Sequence, residues 1–163
     1  MRKYFFQKLK NRAWVINKNL ILGTANFGQV YGINKKRKVK INEIRKIVNF
    51  AKKNKIKFFD TSRSYGNSEK ILGKNRHKFS KVITKIPPLP DGIKSLKVES
   101  WIKEQISQSL KKTKVKKFYA ILLHKSEALL GKKGYKLYKI LSELKKKKIT
   151  EKIGVSAALK TTD

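Results

Sequence analysis

Phe118-Tyr119-Ala120-Ile121-Leu122-Leu123 runs six residues without a charge in a sequence where one residue in three is charged. An extended segment turns alternate side chains to opposite faces, so a run without charge throughout has to be covered on both. That requirement points to a strand inside a parallel sheet. Shorter apolar runs recur at Leu20-Ile21-Leu22, Ile56 to Phe59, Val82-Ile83-Thr84 and Lys152 to Val155. Between them the period changes. Ile44, Ile47, Val48 and Ala51 form one stripe of a lysine-rich helix over residues 42–54, and Ile102, Gln105, Ile106, Ser109 and Leu110 form the inward stripe of a second over 98–112. Leu137, Leu141 and Leu144 mark another, and Ser68 is placed to cap a short one through Leu72. Strand and helix thus alternate four times and end on a strand, in units of roughly 30 residues, which predicts an α/β fold with five parallel strands and four helices.

Periodicity does not separate an open doubly wound sheet from a closed barrel. The strand ends do favour one. Thr24, Asp60, Lys85, His124 and Ser156 each stand where an apolar run stops, and barrels carry their chemistry at the carboxyl ends of their strands. Gly23 and Gly28 have the wrong spacing for a dinucleotide-binding turn, which disfavours the ordinary nucleotide-binding sheet.

The formal charge of +33 invites a nucleic-acid or anionic-surface reading. The distribution of the charge argues against it. Nearly all the cations are lysine, scattered among Ile and Asn, with arginine only at positions 2, 12, 37, 45, 63 and 76, whereas a binding surface concentrates arginine and aromatics. There is no cysteine and there are only two histidines, so no disulfide, thiolate metal site or other metal centre is expected. No run reaches the roughly 18 apolar residues of a membrane span. Residues 1–18 read as a basic extension lacking the unbroken apolar run of a secretory signal, and the expected location is the cytoplasm.

Asp60, Tyr65, Lys85 and His124 are the parts of a proton-delivery site. Reduction of a carbonyl by hydride leaves negative charge on oxygen, and a positioned acid has to supply a proton as that charge builds. A phenol does this when an ammonium stands near it, a carboxylate can hold that ammonium in place, and an imidazole can orient the carbonyl oxygen. Gly23-Thr24 after the first strand, Asp60-Thr61 followed by Tyr65-Gly66-Asn67-Ser68-Glu69, Lys85 ending the third strand and Leu122-Leu123-His124 ending the fourth resemble the aldo-keto reductases. The resemblance covers nearly everything beyond residue 19. It implies a TIM (β/α)8 barrel, an NADP- or NAD-dependent carbonyl and alcohol oxidoreductase, Tyr65 as general acid, Lys85 and Asp60 as its tuning pair, and His124 placing a small carbonyl substrate. It also implies cofactor contacts at Gly23, Thr24 and Ser156.

A complete barrel has eight strands and about 250 residues. Residues 19–163 supply five strands, so the expectation is a partial barrel lacking its C-terminal units, with low or no activity alone. Two alternatives follow: one half of an enzyme assembled with a second half-barrel chain or by self-association, and a basic half-barrel module that binds nucleic acid or anionic surfaces.

Overall fold

The computed structural model describes residues 20–32 and 37–157. The extension expected over residues 1–18 lies outside the described residues. The elements are β1 (Ile21–Gly23), the single turn α1 (Ala25–Gly28), α2 (Ile41–Lys53), β2 (Phe58–Asp60), α3 (Ser68–Asn75), β3 (Lys81–Ile86), α4 (Val98–Thr113), β4 (Phe118–Leu123), α5 (Gly134–Lys146) and β5 (Thr150–Val155). Two short 3-10 turns, Ser95–Lys97 and Ser126–Leu129, precede α4 and α5.

All five strands are parallel and lie in the order β1-β2-β3-β4-β5. This order decides what periodicity left open. A doubly wound sheet reverses its strand order at a switch point, and here every new strand is added on the same side. Crossovers between parallel strands are right-handed, so an unreversed order puts the helices on one face and leaves the other as the inside of a barrel arc.

The core lies between that helical layer and the sheet. Phe59, Val82, Ile86, Phe118, Ile121 and Leu123 from the strands meet Ile44, Val48, Leu72, Ile102, Ile106, Leu137 and Leu141 from the helices, all of them buried. Each such side chain contributes about 1.5–3 kcal/mol when fully buried, which the short strands need because β1 and β2 are three residues long. Helix α2 starts where the Glu43 carboxylate accepts the Lys40 backbone N–H at 2.9 Å and two Arg37 donors at 2.9 and 3.0 Å. At the end of α4, Lys114 takes the left-handed conformation with φ +55°, a position glycine usually fills.

Phe58, next to the buried Phe59, faces the inside of the arc. Its ring packs edge-on against Tyr119 with centroids 4.8 Å apart, and the Lys81 and Lys152 ammonium groups stand 5.1 and 5.2 Å from the Tyr119 centroid. Asp60, two residues beyond Phe58, and Lys85, four beyond Lys81, point to this same face at the opposite end of the strands.

Expected and observed strand and helix boundaries differ by at most two residues; the fifth strand begins at Thr150, two residues before the expected Lys152, and ends at Val155, before Ser156. Ser68 does not cap α3. It is the first helical residue, after Asn67, and its hydroxyl is turned into the protein.

Candidate active site

β2 and β3 end side by side, with Asp60 in register with Ile83, so Asp60 lies one pleat from Lys85. The Lys85 ammonium lies 2.6 Å from each Asp60 carboxylate oxygen and 3.2 Å from the Thr61 carbonyl oxygen. Its side chain is only 6% exposed, against 28% for Asp60. An ammonium has three N–H donors, and these three acceptors account for all of them. The same ammonium stands 5.0 Å from the centroid of the Tyr65 ring. It faces the ring of Tyr65 without a direct hydrogen bond to the phenol hydroxyl.

Tyr65 and His124 meet edge to face, with centroids 5.9 Å apart and planes at 80°. The backbone N–H of His124 donates to Ile86 O, which fixes the β4 exit beside the β3 exit. Burial and the Lys85 ammonium lower the His124 pKa from its ordinary value, the Asp60 carboxylate opposing them. The imidazole is accordingly neutral at pH 7. Asp60, Tyr65, Lys85 and His124 are thus gathered at one point, from three strand ends and one loop.

The loop that presents Tyr65 is held by a cluster of hydroxyls. Ser68 Oγ donates to Thr24 O at 2.8 Å and lies 2.7 Å from Thr24 Oγ1 and 3.1 Å from Thr61 Oγ1; Thr24, Thr61 and Ser68 are all fully buried. Backbone bonds from Tyr65 N to Ser62 O and from Ser68 N to Tyr65 O close the turn. Gly66 has φ +56°, and its missing Cβ leaves room for Gly28 O. A Cβ on Gly28 would in turn overlap the Tyr65 carbonyl oxygen and the Ser68 amide. The α1 turn and the Tyr65 loop interlock only because both positions are glycine.

A profile described as the Aldo/keto reductase family matches residues 19–160. The chain belongs to the aldo/keto reductase family. Among solved structures it resembles a putative aldo-keto reductase from Pseudomonas aeruginosa (20% identity, TM-score 0.67, covering 86% of this chain and 58% of that one). An aldo-keto reductase from Bacillus halodurans in its holo form is similar as well (19% identity, TM-score 0.65, 84% and 45%). A thermostable aldo-keto reductase in complex with the inhibitor epalrestat gives 18% identity, TM-score 0.62, 85% and 49%. A search of curated proteins returned no match. This aldo/keto reductase chain thus spans about half the length of the structures it resembles, and the likeness to them is one of fold.

The three residues expected at a cofactor are placed differently from one another. A Cβ on Gly23 would meet nothing within 4 Å, so this strand end leaves room for a flat ring. Ser156 follows β5, held by its N–H to Leu123 O, and its hydroxyl is uncommitted among the described residues. Thr24 differs: its hydroxyl donates to Asp60 O at 2.9 Å and is fully buried, which makes it part of the scaffold. Gly23 and Ser156 therefore leave room and, among the described residues, a free hydroxyl for a ligand, whereas Thr24 does not.

Sequence alone assigns no role to Ser62, Arg63 or Glu69. Glu69 is 2% exposed beneath the loop, accepting from Thr84 Oγ1 at 2.8 Å and facing Arg63 at 3.7 Å. Arg63 also donates to Gln105 and Gln108 on α4. The available signal was the density of short polar residues after β2, each of which needs a partner once the loop folds inward. No helix among the described residues is long and apolar enough to cross a membrane.

Proposed function

We propose that this chain carries the proton-delivery half of an NAD(P)H-dependent reductase of small carbonyl compounds, with Tyr65 as general acid. The observation that carries the reading is the Lys85 ammonium clamped by Asp60 and set 5.0 Å over the Tyr65 ring. A reduced nicotinamide, when bound beside Gly23 and Ser156, supplies the hydride. The residues of this chain do the rest. As negative charge develops on the substrate oxygen, the Tyr65 hydroxyl gives it a proton, and charge left on the phenol oxygen is stabilised by the ammonium across the ring. Asp60 holds that ammonium in place. The neutral His124 donates a hydrogen bond to the substrate oxygen and sets its direction. In the alcohol-oxidising direction the same groups take the proton back.

The test uses the full chain with NADPH deuterated at the transferable position and a small aldehyde. Deuterium carried into the product alcohol is the expected result, even at slow turnover; an alcohol formed without label, or no alcohol with cofactor bound, sinks the proposal.

A further inference from the structure

The His124 ring has one partner that the reductase roles leave unused. Ser62 Oγ lies 3.0 Å from His124 Nδ1, and Ser62 is fully buried. We propose that Ser62 is a positioning residue that fixes the His124 imidazole with its proton on Nε2.

The argument is a count of donors and acceptors. Ser62 Oγ accepts the Ser64 backbone N–H at 3.1 Å, so one lone pair is occupied. Its hydroxyl hydrogen still needs an acceptor, because a fully buried O–H has no water to turn to. Among the described residues the only acceptor in hydrogen-bond contact is His124 Nδ1. A neutral imidazole that accepts at Nδ1 carries its hydrogen at Nε2. The opposite tautomer would donate from Nδ1 to Ser62 Oγ and leave the hydroxyl hydrogen without a partner. The charged groups acting on the ring are Lys85, Asp60 and Lys125, and burial together with Lys85 keeps it neutral.

Ser62 also controls the second half of the site. Its carbonyl oxygen accepts the Tyr65 backbone N–H at 3.1 Å, so the turn that orients His124 also sets where Tyr65 leaves the chain. One small residue thus couples the acid to the group that places the substrate oxygen. This use of the tautomer rests on the reductase reading, since only a substrate oxygen makes the Nε2 hydrogen useful. The tautomer itself does not depend on that reading.

The experiment is nitrogen-15 NMR of the full chain labelled at histidine, with the His124 signals identified by their loss in His124→Gln. The wild-type ring is expected to show a pyridine-type Nδ1 and a pyrrole-type, proton-bearing Nε2. Ser62→Ala is expected to lose that separation, the two nitrogens averaging as both tautomers populate, and Ser62→Thr to restore it. A wild-type ring with its proton on Nδ1 overturns the proposal, as does a Ser62→Ala ring with the wild-type pattern. If the Nε2 proton is found but deuterium transfer fails, the reductase reading falls and the assignment of Ser62 stands.

Discussion

Lys81 and Lys85 stand four residues apart on one face of β3, and they live in opposite surroundings. Lys85 is buried, its three donors shared between the Asp60 carboxylate and the Thr61 carbonyl. Lys81 is exposed, its ammonium resting 5.6 and 5.1 Å from the Phe58 and Tyr119 centroids, with the exposed Lys152 ammonium 5.2 Å from the same Tyr119 ring. In a chain of formal charge +33 a lysine is uninformative by its presence. What distinguishes the two is the cost of removing charge from water: an ammonium taken inside requires a carboxylate, whereas one left in solvent settles for an aromatic face. The carboxyl ends of the strands are therefore specified tightly, and the amino ends loosely.

Substitutions at the two ends break the comparison unequally. Gly28→Val puts side-chain atoms into the backbone of the Tyr65 loop, and we expect a loss of about 4 kcal/mol or more in urea unfolding. Asp60→Ala leaves the enclosed Lys85 without its carboxylate, with the Thr61 carbonyl as its remaining partner. It should cost about 3 kcal/mol, at the lower end for a buried pair because Asp60 is partly exposed.

A pH titration of stability sharpens the same contrast through His124. Its folded pKa lies below its unfolded value, so as pH falls below about 6.5 the unfolded chain takes up the proton first. Stability should be level above that point and decline below it, and His124→Gln should remove the part of the decline that precedes carboxylate protonation. A wild-type stability that rises on acidification through this window would contradict the placement of His124. At the loose end, Lys81→Ala and Lys152→Ala should leave the urea midpoint where it is, since exposed ammonium groups over aromatic rings exchange protein contact for water at little cost.

What could be read from sequence follows this same division. The parallel α/β alternation was legible because β4 is apolar on both faces and because the stripes through Ile44, Ile102 and Leu137 keep helical period. Asp60, Lys85 and His124 were legible because polar residues interrupt apolar runs at the point where strands end. The unreversed strand order leaves no local pattern, because it depends on which strand each helix returns to; periodicity did not show it, and it was implied only by the polar strand ends and the family resemblance, both of which pointed to a barrel. The role of Ser62 or Ser68 was not legible at all. A serine after a strand and before a helix has the same local preferences whether it caps the helix, closes a turn or reaches a histidine 62 positions away. Ser68 illustrates the error: local preference made it a cap, and the buried hydroxyls of Thr24 and Thr61 claimed it instead.

The most direct test of the contrast is the rate of NADPH-dependent aldehyde reduction by the full chain, measured for wild type, Tyr65→Phe and the Lys81→Ala/Lys152→Ala double variant. Tyr65→Phe is expected to lose at least about 100-fold, the lower range of what a positioned general acid supplies, while the double variant retains the wild-type rate. Equal losses in the two variants, or none in Tyr65→Phe, would contradict the assignment of proton delivery to the carboxyl ends of the strands.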